Sequence, residues 1–271
     1  MSSVRQALRY VLLVGLALLF GLPIYWVIAS AFKPGTELFT WPPEFWPSHP
    51  TLDSFSRALE RNPFPLYVWN SLFVTLIAAS LTVLLSTMAG FSLAKHRFPG
   101  SRVMLVAILG TIMFPVEVIM IPLFQVVRTV HLYDSLWGLI IPTVATPTGI
   151  FLLRQYMLSI PDDLLEAARI DGANEWQVFR HVIVPLARPA MAALAIFSFM
   201  WRWNDFLLPL IVITDPQKLT ITLALANYSG QHNVNWNSLL SMSVIAMVPV
   251  VVVFLALQRY FVRGIAVTGM K

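Results

Sequence analysis

Six apolar stretches, each about twenty residues or longer, leave this chain few ways to fold: about 10–32, 67–94, 103–127, 136–157, 190–213 and 239–262. A helix needs roughly 20 mostly apolar residues to cross the hydrocarbon core of a bilayer. Inside lipid every backbone amide must be satisfied by its own segment or a closed barrel, so stretches of this length read as helices. Six of them in one chain predict an all-α, polytopic membrane bundle. All but the second contain proline, which a bundle tolerates because neighbouring helices satisfy the freed backbone groups. Only 11% of the 271 residues are charged and 58% are hydrophobic, where a soluble domain carries about 25% charged residues.

Charge sets the expected orientation. With an even number of spans both termini share one side. Placed in the cytoplasm, that side holds twelve of the 18 basic residues, among them Arg5, Arg9, Lys95, Arg97, Arg102, Arg154, Arg169, Arg180 and Arg188. The other side holds five (Lys33, Arg57, Arg61, Arg128 and Lys218), and Arg202 falls inside a span. The positive-inside rule therefore predicts a multi-pass membrane protein with both termini cytoplasmic. The net charge of +5 is dispersed, so nucleic acid is not an expected partner. There is no cysteine, hence no disulfide. Arg5 and Arg9 before an apolar run ending in Ala29-Ser30-Ala31 mimic a signal peptide, but the run exceeds the roughly 7–15 residues of a signal and reads as an uncleaved first span.

Residues 1–271 read as a single transmembrane domain with two long interruptions. The first, Lys33 to Leu66, is rich in proline and aromatic residues; Leu52, Phe55 and Leu59 within it predict a short amphipathic helix capped near Thr51. The second, about 158–188, is expected in the cytoplasm. Pro161, Asp162 and Asp163 open a helix with negative charge in its first turn. Gly172 stops that helix, since glycine accepts the left-handed C-terminal position. Asn174 with Gln177 three residues on has capping-box spacing and starts a second helix, expected to end at Pro185. The product is a helix–turn–helix elbow between the fourth and fifth spans.

The elbow reads Glu166-Ala167-Ala168, three residues, Gly172, nine residues, then Val182-Ile183-Val184-Pro185. This resembles the EAA loop of the membrane subunits of ABC importers, with every spacing kept and Val182 and Val184 replacing the usual Ile and Leu. Ile160-Pro161, Asp171-Gly172-Ala173 and Phe179 fit the carbohydrate-importer version. Phe32-Lys33-Pro34, Phe114-Pro115, Ile121-Pro122-Leu123-Phe124 and Trp203-Asn204-Asp205 extend the resemblance to the maltose-type permease family. The resemblance implies that Glu166, Ala167, Ala168, Asp171, Gly172, Ala173, Phe179 and Pro185 couple the chain to an ATPase subunit. It also implies a second related permease, two ATPase subunits, an extracytoplasmic substrate-binding protein, and a sugar or short oligosaccharide as substrate. Glycerol 3-phosphate is the substrate alternative.

The elbow's chemistry suits that role. Ala167 and Ala168 leave a bare face for close backbone approach, and Glu166 offers a charge-assisted acceptor. Gly264 through Gly269 and Lys271 look like a phosphate-binding loop, but Met270 intrudes and no helix follows to hold the phosphate. No Gly-Lys-Ser or Gly-Lys-Thr occurs elsewhere. The chain is therefore expected to hold no cofactor, ATP and Mg residing on the partner ATPase, and to be no enzyme itself. The tail Arg263–Lys271 reads either as an ATPase contact or as a frayed end.

Glu117, Arg202 and Asp205 fall inside spans, where each costs roughly 2.5–3.5 kcal/mol near a helix centre. They are expected to face a cavity or a partner. Arg202 and Asp205 share a helix face and are placed to pair. Alternatively Trp201, Trp203, Asn204, Asp205 and Glu117 line a polar pathway, with a tryptophan stacking on sugar. An ion-coupled secondary carrier using Glu117, Arg202 and Asp205 is the rival from another class; it leaves the elbow's spacing unexplained. A membrane-anchored scaffold is a further rival. No metal cluster or nucleophile–base arrangement is legible.

Overall fold

The computed structural model describes residues 2–61, 63–229 and 234–268. Among these residues all regular elements are helical. In chain order they are α1 (Ser2–Ala31), α2 (Asp53–Arg61), α3 (Phe64–Lys95), α4 (Ser101–Ile112), α5 (Val116–Thr129), α6 (Leu136–Ile140), α7 (Pro147–Leu158), α8 (Asp163–Ile170), α9 (Glu175–Val178), α10 (Val184–Trp203), α11 (Leu207–Val212), α12 (Ile221–Ser229) and α13 (Trp236–Thr268). Five stretches are long and apolar enough to cross a membrane unaided: Arg5–Ala31, Phe64–Lys95, Leu136–Leu158, Glu175–Trp203 and Trp236–Ala256. The sixth expected span is the pair α4 and α5, bent by 108° where Met113, Phe114 and Pro115 interrupt it. Pro115 cannot donate to the ladder and disfavours helix in the residue before it, so the helix stops there. Pro122 lies within α5 without ending it.

The chain divides into two compact units, Met1–Pro65 with Ala224–Val248, and Leu66–Leu223 with Pro249–Lys271. In the first, α1 is exposed along most of its length and buried only at Ala29–Ala31. The loop after it is knitted by hydrogen bonds: the Thr51 amide donates to the Phe32 carbonyl at 2.9 Å and Asn237 Nδ2 to the Lys33 carbonyl at 2.8 Å. Lys33 is fully buried, its ammonium donating to the Glu44 carbonyl and lying 4.5 Å over the Trp26 ring. The expected amphipathic helix is α2, but Leu52 and Leu59 are exposed, and it buries Ser54 and Ala58 instead. Phe55 packs on Phe32 at 5.2 Å, so the small residues beside it make the close approach. The tail's backbone is helical to Thr268, and Gly269–Lys271 lie outside the described residues.

The second unit holds two apolar cores in sequence along its spans. One gathers Val74, Ala78, Val127, Leu139, Ile140, Leu208, Val212 and Leu223. The other gathers Phe91, Leu153, Met157, Leu165, Val178, Phe179, Ile183, Ala190 and Leu194. Between them, along α3, the fourth span and α10, stand polar groups: Thr82 and Ser86, Thr146, and Ser198. All four hydroxyls are buried without a protein partner. Two spans expected to be continuous are broken at this polar level. The fourth passes from α6 through a 3-10 turn (Ile141–Thr143) and an irregular stretch at 144–146 into α7. The fifth breaks at Asn204–Phe206, between α10 and α11. Pro142 and Pro147 explain the first break, each removing a donor.

The fifth span also begins earlier than its apolar run indicates. α9 continues through a π-helical turn (Phe179–Ile183) into α10, giving one helix of 29 residues from Glu175 to Trp203. Pro185 does not end the second elbow helix. The Val184 amide bonds the Phe179 carbonyl, an i→i−5 bond, and this wider turn relieves the clash that proline makes with the carbonyl four residues back.

Candidate functional site

The elbow is built by two local motifs and one anchor. α8 ends in a Schellman motif: the Ala173 amide donates to the Ala168 carbonyl and the Gly172 amide to the Arg169 carbonyl, both at 3.0 Å. Gly172 takes φ +84°, the left-handed conformation that glycine alone adopts at no steric cost. α9 then opens on a complete capping box, Gln177 N to Asn174 Oδ1 at 2.9 Å and Asn174 N to Gln177 Oε1 at 2.8 Å. Across the turn Arg169 grips Glu175, Nε to Oε1 at 2.8 Å, so the two short helices hold one angle. Hydrogen bonding and charge from Glu175 raise the Arg169 guanidinium further above physiological pH.

The end of α3 clasps both halves. Lys95 Nζ lies 2.6 Å from Asp162 Oδ1, before α8, and holds that carboxyl below its ordinary range. His96 Nε2 lies 2.9 Å from Glu175 Oε2, at the start of α9. Asp162 stands at the N-cap of α8, where negative charge is expected, and its carboxylate bonds Lys95 rather than making a capping bond. Leu165, Val178, Phe179 and Ile183 seat the elbow in its core, each apolar side chain contributing about 1.5–3 kcal/mol by leaving water.

Of the eight residues read as coupling positions, Glu166, Ala167, Asp171 and Gly172 are exposed and Ala168 and Ala173 half-buried. Ala168, Asp171, Gly172 and Ala173, with Gln177, His181 and Val182, line an open depression of about 290 Å³. Phe179 does not share that surface: it is 6% exposed and packs between Phe91 and Trp176, at 5.5 and 5.3 Å. Its part in the elbow is support. Pro185 is half-buried at the start of α10.

The intramembrane residues separate. Glu117 is exposed in the first turn of α5. Trp201 is 45% exposed and stacks on Phe197. Trp203, expected to face a pathway, is 3% exposed and stacked on Phe199 at 5.7 Å, so it offers no open face. Asn204 is exposed and donates to the Met200 carbonyl at 2.8 Å. Arg202 and Asp205, placed to pair, form no ion pair. The Arg202 Nη2 donates to the Thr143 carbonyl in the broken fourth span, while Asp205 Oδ1 accepts from the Leu208 amide at 3.4 Å. The pairing fails because the helix ends at Trp203: Asp205 leaves the shared face and turns to the next turn's amide.

Apolar spans, some of them broken and arranged around a polar level, with a folded elbow between two of them, define a polytopic membrane transport subunit. Residues 83–267 match the family model described as "Binding-protein-dependent transport system inner membrane component". The chain belongs to this family of ABC-importer permeases. It is 35% identical to the arabinooligosaccharides transport system permease protein AraQ of Bacillus subtilis (strain 168), over 94% of this chain and 92% of that protein. It is 35% identical to the diacetylchitobiose uptake system permease protein NgcG of Streptomyces coelicolor, over 95% and 87%. It is 31% identical to the sn-glycerol-3-phosphate transport system permease protein UgpE of Salmonella typhimurium, over 94% and 93%. Among solved structures it superposes on a chain of a bacterial ABC transporter involved in the import of the acidic polysaccharide alginate. There the TM-score is 0.85 and the identity 26%, covering 96% of this chain and 97% of the other.

Proposed function

We propose that this chain forms half of the translocation pathway of an ATP-driven importer for a sugar or short oligosaccharide, and that its elbow is the docking lever for a separate ATPase subunit. The observation that carries the reading is the rigid elbow with its Ala168–Asp171–Gly172–Ala173 depression open to a partner. A second permease, two ATPase subunits and an extracytoplasmic binding protein complete the assembly. ATP and Mg belong to the ATPase, and this chain catalyses no step of its own. Both termini and the elbow lie in the cytoplasm, on the strength of the basic-residue asymmetry. Trp201, Asn204, Asp205 and Glu117 remain the polar and aromatic groups for a pathway. Two of the three relatives named carry saccharides in their names, which favours a sugar. Glycerol 3-phosphate stays the second reading because of UgpE.

The test is uptake by the full transporter in vesicles, with ATP and the binding protein present. Gly172→Pro cannot adopt φ +84°, and Glu166→Ala removes the exposed carboxylate. Both are expected to cut uptake at least about tenfold while the chain stays inserted. Normal uptake in Gly172→Pro overturns the coupling assignment. Competition by sugars against glycerol 3-phosphate for the binding protein separates the two substrate readings.

A further inference from the structure

We propose that Arg202 is a positioning residue, the pin through which movement of the elbow reaches the break in the fourth span. This rests on the coupling reading of the elbow. The helix from Glu175 to Trp203 is continuous for 29 residues, about 43 Å at 1.5 Å per residue. Its first turn is the second half of the elbow, fixed to the first half by Arg169–Glu175 and to α3 by His96–Glu175. A displacement there is carried along the rod to its last turn, which holds Arg202. The guanidinium donates to the Thr143 carbonyl, at the end of the 3-10 turn that interrupts the fourth span. That carbonyl is among those which a continuous helix would satisfy internally. In a spanning segment such freed groups need a partner from a neighbouring helix, and Arg202 supplies it.

The surroundings of the pin fit a place where two packings are available. One core lies on each side of it along the same spans. The hydroxyls of Thr82, Ser86, Thr146 and Ser198 at the same level are buried and unpartnered, as is Arg202 Nε. The fifth span has its own break directly after the pin, at Asn204–Phe206. The rod and the far end of its span are therefore free to change angle while Arg202 keeps hold of Thr143. Rearrangement of the irregular stretch at 144–146 then opens or closes the pathway beside it.

The experiment uses the full transporter in vesicles and the absence of cysteine from the chain. Ala145→Cys, an exposed position in the break, reports by its rate of thiol labelling with and without ATP. In an otherwise unaltered chain that rate is expected to change with nucleotide. Arg202→Met is expected to abolish the change and lower uptake per ATP hydrolysed about tenfold, the size of one lost charge-assisted hydrogen bond, with the ATPase still bound. Arg202→Lys keeps a long, charged N–H donor and is expected to stay within about threefold of the unaltered protein. Thr143→Ala leaves the backbone carbonyl in place and is expected to be near normal. Should Arg202→Met not assemble, Arg202→Lys decides: loss of the nucleotide response there, with a long charged donor kept, overturns the pin. A full response in Arg202→Met also overturns it, and does so independently of the elbow, whose own failure is read from Gly172→Pro.

Discussion

Asp134 shows how much one carboxylate organises at the end of the second unit away from the elbow. It sits in the left-handed region with φ 53°, and its amide donates to the Val212 carbonyl. Oδ1 accepts from the Thr214 and Asp215 amides at 2.9 Å each, and Oδ2 from Lys218 at 3.1 Å. The two backbone donors, then Lys218, lower its pKa from 3.8 to about 2. A carboxyl whose folded pKa is depressed stabilises the fold above its unfolded value and loses that contribution as pH falls through the folded one. Thermal unfolding in detergent is therefore expected to separate the unaltered chain from Asp134→Asn at pH 5, with the gap closing between about pH 4 and pH 2. The loss at pH 5 is about 1 kcal/mol, since the site is partly open to water. A gap independent of pH overturns the assignment to ionisation. None of this is legible in the sequence: Asp134 is one polar residue in a short loop, and its donors come from some eighty positions away.

Helix junctions divide between what the chain declares locally and what it does not. The elbow is legible because a glycine at a left-handed position and an Asn/Gln capping box act within six residues of one another. The breaks in the fourth and fifth spans are hidden, because hydropathy averages over the whole stretch and the partner of the Thr143 carbonyl lies 59 residues on. The continuity of α9 with α10 is hidden too: Pro185 signals an end, and a π turn absorbs it. Close helix approach is another property that only packing reveals. A Cβ on Gly138 would lie 2.3 Å from the Leu132 carbonyl oxygen, a backbone atom that cannot swing aside. A Cβ on Gly110, within α4, would meet nothing within 4 Å. Gly138→Ala is expected to destabilise by about 1–3 kcal/mol, whereas Gly110→Ala is neutral or gains up to about 1 kcal/mol of helix propensity. Equal melting temperatures for the two variants contradict this packing of α6 against the turn before it.

The proposed placement of the whole chain in the membrane rests on one imbalance, twelve basic residues against five, and on an even span count in which α4 and α5 act as one. Each basic residue on the translocated side is disfavoured, and the bias is largest in short loops close to span ends. Lys95, Arg97 and Arg102 flank such a loop at the elbow end of α3, whereas Lys218 is the basic residue of the α11–α12 connection. The proposed orientation puts the elbow of the second unit in the cytoplasm and the Asp134–Lys218 cluster outside. Because the chain has no cysteine, a single introduced thiol reports its side without background. Asp163→Cys on α8 and Gln217→Cys on the α11–α12 connection are both exposed positions. In intact cells a membrane-impermeant maleimide is expected to label Gln217→Cys, and Asp163→Cys only after lysis. The reverse pattern, from an inverted protein or from a re-entrant α4–α5 pair that leaves five spans, removes the elbow from any cytoplasmic ATPase. Labelling of both thiols in intact cells instead means that the fifth span, Glu175–Trp203 with α11, does not cross, and the coupling surface then needs a different partner.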